Sequence, residues 1–230
     1  MYERGEVDEA IDYLEAWMPE LDPRSLVHCH RSWHVTLAAL AAGRQERAWE
    51  AYRTTVHPGG AWGPPLNVVT DAPAFLWRAE LAGQPRSAQL WHEVHDHALR
   101  CYPNAGIAFA DVHSMIACIA DGDTDVLGRR TDDIRQRIAD SRYPAGEVVI
   151  WIADGFEAYA AERWSDAITS LERALPQTVR IGGNRAQRDL VDLTLLAAYL
   201  KAGRADAASG LIERRGHLPR LLDGGLGWAP

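Results

Sequence analysis

Lysine is nearly absent. Lys201 is the only one, and the other basic residues are arginine. An enzyme built on a lysine nucleophile or Schiff base would have to use that position. It sits two residues before Gly203, where a charge completing a helix C-terminus is the simpler reading. Cysteine is also scarce. Cys29, Cys101 and Cys118 are an odd number with no motif spacing, which suits a reducing compartment and gives no disulfide framework or zinc motif. No apolar run approaches the roughly 18 residues of a membrane span. The opening residues, Met1 to Glu6, are polar and acidic, and do not read as a secretory signal. Positive charge is outweighed: the net charge is −8, which argues against a nucleic-acid or anionic-membrane partner. A P-loop and a G-x-S-x-G elbow are missing, and Asp132-Asp133-Ile134-Arg135-Gln136 lacks the last acid of a D-D-x-x-D diphosphate motif. The expectation is a cytoplasmic protein without cofactor or metal.

What the chain does have is a repeat. A glycine is followed five residues later by alanine at Gly5/Ala10, Gly43/Ala48, Gly83/Ala88 and Gly203/Ala208. Glu162/Ala167 fills the same slot, and Gly122/Leu127 is an imperfect member. The anchors 5, 43, 83, 122, 162 and 203 step by 38 to 41 residues. A helix that ends on a left-handed glycine, followed at once by a second helix with an early small residue, explains each anchor. Apolar helices are expected before the anchors: 33–42, 68–82, 107–120, 148–161 and 190–202. Amphipathic helices, such as 45–56 and 164–175, are expected after them. Ala167, Ile168, Leu171 and Leu175 form one buried stripe. The fold class predicted is all-α: a right-handed solenoid of tetratricopeptide-like helical hairpins with a period near 40 residues, over residues 1–215. An irregular tail follows at 216–230, with Leu221, Leu222 or Trp228 available to cap the last hairpin. The loops at 57–65 and 176–183 are too short to divide it, so a single domain is expected.

Several stretches resemble a known family. Gly5 to Ala10, followed by Leu21-Asp22-Pro23, looks like the second half of a tetratricopeptide repeat. His30-Arg31-Ser32-Trp33-His34 is similar to the H-x-x-W-H segment of the tetratricopeptide repeat protein 38 family. Asp71 to Arg78 resembles that family's D-A-x-x-L-L-W-R helix, and Phe109 to His113 its D-x-H-A segment. Gly182 to Asp189 is close to its G-G-S-x-A-Q-R-D. These run in family order over about 30–210, matching only the C-terminal half of the family length, with Arg31 and Asn184 in place of more usual residues. The resemblance implies a helical-repeat fold and brings no established reaction.

The candidate groove residues are His30, His34, Asp71, Arg78, Asp111, His113, Gln187 and Arg188. First helices of such hairpins line the concave wall. Asp71, Asp111, Asp154 and Asp192 all fall in them, 8 to 12 residues before their anchors. An acid in an apolar helix must face water or find a partner. His30 and His34, one turn apart, have a zinc-compatible spacing, or form a packed pair beside Trp33. Arg78 could pair with Asp71. Asn184 and Gln187 read as a helix cap. With Arg180, Arg185 and Arg188 they could instead hold an anion. His92, His95 and His97 read as a solvated face. At least four of the eight are expected in one groove, with His34 and His113 titrating near neutrality. The expected function is a binding module for a protein, a peptide or a small ligand. The alternative is an enzyme or metal-binding protein using the same His/Asp/Arg cluster, its catalytic residues unknown. The helix 6–17, preceded by only four residues before Gly5, is expected to leave a flank open for self-association or for a second chain.

Overall fold

The computed structural model of the chain describes Met1 and residues 4–215. The tail expected at 216–230, with Leu221, Leu222 and Trp228, lies outside the described residues. Every regular element among the described residues is helical. The α-helices are α1 (Val7–Trp17), α2 (His28–Ala41), α3 (Gln45–Ala51), α4 (Pro65–Leu81), α5 (Ala88–Cys101), α6 (Ala108–Asp121), α7 (Thr124–Ala139), α8 (Val148–Ala160), α9 (Trp164–Ala174), α10 (Arg185–Lys201) and α11 (Ala205–Arg215). No helix among the described residues is long and apolar enough to cross a membrane.

The turns fall where the anchors predict, for a stereochemical reason. Gly43 follows α2 at φ 73°, and no side chain or backbone atom stands within 4 Å of where its Cβ would be. Packing therefore does not demand glycine there; the backbone does. The Gly43 amide donates to the Leu40 carbonyl and the Arg44 amide to that of Ala39, the paired bonds that close a Schellman turn. The same pair of bonds closes α4 at Gly83, α8 at Glu162 and α10 at Gly203. Gly122 differs: its own amide and that of Asp123 both reach the Cys118 carbonyl.

Glu162 adopts the left-handed conformation with a side chain, at φ 57°. An L-residue there costs roughly 1–2 kcal/mol, of which glycine's extra unfolded-state entropy offsets part. Glu162→Gly is therefore expected to stabilise the chain by about 0.5–1 kcal/mol in urea unfolding. Unchanged or lower stability would mean that the turn is held by something other than its dihedral.

The residue five beyond each anchor is buried at Ala10, Ala48, Leu127, Ala167 and Ala208. Ala88 is the exception, because it is exposed. Pro85, Arg86 and Ser87 delay the start of α5, Ser87 caps it by accepting from the Leu90 amide, and Trp91 takes the inward position. The short spacing rule fails there because proline cannot continue the turn into a helix at once.

Met1–Arg86, joined by the end of α11, form one compact unit, and Ser87–Leu211 a second. In the first unit α2 packs against α1, α3 and α4. Its core holds Trp33, Leu37, Tyr52 and Phe75, all almost fully buried. Tyr52 stacks on Phe75 at 4.7 Å, with Trp49 edge-on to the same ring at 5.1 Å. Each such aromatic contributes on the order of 1.5–3 kcal/mol by burial. On α1, Tyr13 and Trp17 remain exposed, although the Arg31 guanidinium covers the Trp17 ring at 3.9 Å.

In the second unit α6 packs against α5, α7 and α8, and α9 against α8 and α10. α8 and α9 approach tightly at Gly155, where an added Cβ would stand 2.6 Å from Leu171 Cγ. A glycine in mid-helix weakens that helix by about 1 kcal/mol, and here it admits a fully buried leucine in return.

Candidate functional site

The first unit brings four of the eight candidate residues together. His30 and His34 share a face of α2 because they are one turn apart. Asp71 and Arg78 come from α4, which packs on α2. His30 Nδ1 lies 2.8 Å from Asp71 Oδ2. Asp71 is completely buried, whereas the His30 side chain keeps 24% of its exposure. The contact fixes the imidazole and orients Nδ1 toward the acid. His30 stacks on Trp33 with ring centroids 5.4 Å apart and meets His34 edge-on at 4.8 Å. Arg78, fully buried, donates from Nη1 to the Ala74 carbonyl at 3.0 Å, and its guanidinium lies 5.6 Å from the Trp33 ring.

His34 is mostly buried, and its pKa is driven down to about 4 by that burial, with further lowering from His30 and Arg78. The expectation that it titrates near neutrality is therefore corrected. It is neutral at pH 7, because the charged form would lose its water and face a cationic neighbour. Its ring contacts are aromatic, to His30 and Trp33, and among the described residues neither ring nitrogen has a hydrogen-bond partner. A neutral imidazole so placed offers one donor and one acceptor. The zinc reading gains no third ligand: among the described residues no group of three His, Cys, Asp or Glu side chains is placed to hold a metal ion.

The other four candidates lie in the second unit and are held in place by its own structure. Asp111 is 1% exposed and fully bonded. Its Oδ1 accepts from Arg130 at 2.6 Å, and its Oδ2 from the Tyr143 hydroxyl at 2.7 Å and the Gly106 amide at 2.9 Å. Arg130 also donates to the Tyr102 carbonyl. Burial, then the Asp111 charge, raise the Tyr143 pKa, so that the phenol stays protonated and donates. This network ties the α5–α6 loop, α6, α7 and the α7–α8 loop together. Arg130 and Tyr143 were not singled out from the sequence. A signal existed for Arg130: it shares the buried stripe of α7 with Leu127 and Ile134.

His113 is buried, with Nδ1 2.8 Å from the Phe109 carbonyl and its ring edge-on to Phe109. Gln187 and Asn184 form the reciprocal cap of α10, each side chain meeting the other's backbone amide at 2.9 Å. Arg188 donates to the Gly183 carbonyl, and Arg180 to Gln177 and to the Pro144 carbonyl. The helix N-terminus is thus capped from within, which answers the choice between cap and anion site in favour of the cap. Of the recurring acids, Asp71, Asp111 and Asp192 are buried. Asp154 instead lines an open pocket of about 500 Å³ between α8 and α9.

The His92/His95/His97 cluster is not a uniform solvated face. His95 is 4% exposed, and its Nδ1 meets Asp121 Oδ2 at 2.8 Å, while His92 reaches the same oxygen at 3.2 Å from the surface. The helical period carried the signal: His95 falls with Trp91, Val94 and Ala98 on the buried side of α5, and only His92 and His97 lie off that face.

A scan against protein-family models finds no match for this chain, and no solved structure matches it.

Proposed function

We propose that the chain is a helical-repeat binding module, and that the His30/His34 face of α2 contacts the ligand. The solenoid reading rests on the even step of the anchors and on the left-handed turns that follow them. The resemblance to the tetratricopeptide repeat protein 38 family points the same way. The observation that carries the binding site is His34: an imidazole kept neutral, incompletely buried and without a hydrogen bond among the described residues. The ring is open enough for water to reach its nitrogens, and a ligand's donor or acceptor can take the place of that water. A peptide backbone supplies both groups in each amide, and the His30 ring, part-exposed and backed by the buried Trp33, supplies a flat contact. An extended peptide is therefore the ligand proposed.

A random peptide display library panned on the full chain tests this. Enriched peptides should bind His34→Phe, which keeps the ring but not the nitrogens, about tenfold more weakly, the worth of one hydrogen bond. Failure to enrich any peptide, or peptides indifferent to His34→Phe and His30→Phe, would contradict it.

The His30–Asp71 pair favours a second reading. A buried carboxylate fixing a reachable imidazole is the arrangement of an acid–base dyad. Mass spectrometry of the selected peptides after incubation separates the two readings. Unchanged mass supports binding alone; cleavage lost in Asp71→Asn supports chemistry.

A further inference from the structure

An open pocket of about 420 Å³ lies in the second unit, between α7 and the loop that joins α5 to α6. Arg129, Arg130, Asp133 and Arg137 line it from one face of α7, at the 1, 3 and 4 residue steps that a helix face requires. Leu99, Pro103 and Val126 supply apolar wall. Three guanidinium groups face one carboxylate within the lining, a balance of +2, in a chain whose net charge is −8. Counting Asp111, which already holds Arg130, leaves +1.

The arginines are not equivalent. Arg130 is the fixed member, buried and bonded to Asp111 and the Tyr102 carbonyl. Arg137 is oriented by Asp133, which accepts from its Nε at 2.8 Å and leaves the two terminal nitrogens of the fork for other acceptors. Arg129 is exposed and makes no hydrogen bond or ion pair among the described residues, although Asp125 and Asp133 stand one turn to either side. The Asn104 amide, exposed on the opposite lip, is likewise unbonded among the described residues. A guanidinium left open above a prepositioned one, beside an amide donor, is arranged to receive an oxyanion. The apolar wall asks for a hydrocarbon or ring attached to it.

We propose that this pocket binds a small organic anion, its carboxylate or phosphate held by Arg129 and Arg137 above Arg130, and its apolar part against Leu99 and Pro103. The site is separate from the α2 histidines and does not depend on the peptide reading.

The test is an NMR titration of the full chain, following the arginine Nε–H and Asn104 side-chain signals. The probes are benzoate, phenyl phosphate and uncharged benzyl alcohol. At least one anion should shift Arg129, Arg137 and Asn104 saturably, and benzyl alcohol should not. Response to benzoate alone assigns a carboxylate ligand, and to phenyl phosphate alone a phosphate. Arg129→Gln and Arg137→Gln, both at outward-reaching positions, should each weaken the bound anion about tenfold, with circular dichroism unchanged. Raising sodium chloride should weaken it further. Absence of saturation with both anions, equal shifts with all three probes, or unchanged affinity in the double variant overturns the proposal.

Discussion

Asp111→Asn is expected to lower the unfolding free energy at pH 7 by about 3–5 kcal/mol, the cost of stripping one partner from a buried ion pair. The asparagine side chain can still accept from Tyr143 and Gly106. It cannot neutralise Arg130, whose guanidinium is 5% exposed and would remain charged in the interior. Urea unfolding followed by circular dichroism measures the loss. Replacing both partners with apolar residues, Asp111→Leu with Arg130→Met, should recover only part of it: the desolvation cost of the pair disappears, but the Tyr143 hydroxyl and the Gly106 amide lose their acceptor. A single-variant effect below about 1 kcal/mol would place the ion pair in water, and would return Asp111 to the candidate groove.

His34 gives the second large effect, in the acid range. Its folded pKa of about 4 lies below its ordinary value of 6.5. Above pH 6.5 both the folded and unfolded chains hold it neutral, and no stability is lost. As pH falls below 6.5, the unfolded chain takes up the proton first. Stability is therefore lost progressively down to about pH 4, by about 3 kcal/mol in total at 1.4 kcal/mol per pKa unit. Carboxylates act lower on the scale: burial raises the Asp121 pKa, but hydrogen bonds and charge from His95 and His92 together lower it from 3.8, so its stabilisation is lost only as pH falls below that value. The difference between the native chain and His34→Phe isolates the histidine. The variant should lose less stability between pH 7 and pH 4 by about that 3 kcal/mol. Parallel pH profiles would show that His34 is hydrated in the folded state.

The helical architecture was legible because its punctuation is stereochemical. Gly43, Gly83 and Gly203 report a left-handed backbone that nearly any other residue would strain, and Glu162 shows the same slot filled at a cost. Ala88 departs from the five-residue offset because that offset is a packing consequence, and an intervening proline changes it. The first-unit cluster was legible in part. The one-turn spacing of His30 and His34 places them together whatever surrounds them, but the depressed His34 pKa depends on burial and on Arg78 from another helix. Asp111 was placed in a groove because an acid in an apolar helix signals either water or a partner, and sequence position does not choose. Its partners, Arg130 and Tyr143, are 19 and 32 residues away. Asp71 and Asp111 look alike in the sequence, yet one fixes a reachable imidazole and the other holds four segments together.

The peptide-binding face is tested most directly by imidazole nitrogen NMR of the full chain, with and without a saturating display-selected peptide. Free, His34 should be neutral at pH 7 with a midpoint near 4. Bound, the His34 and His30 ring nitrogens should shift, while His113 and the Tyr143 hydroxyl, inside the second unit's own bonding, stay where they were. A bound spectrum in which His30 and His34 do not move would contradict the assignment of ligand contact to α2.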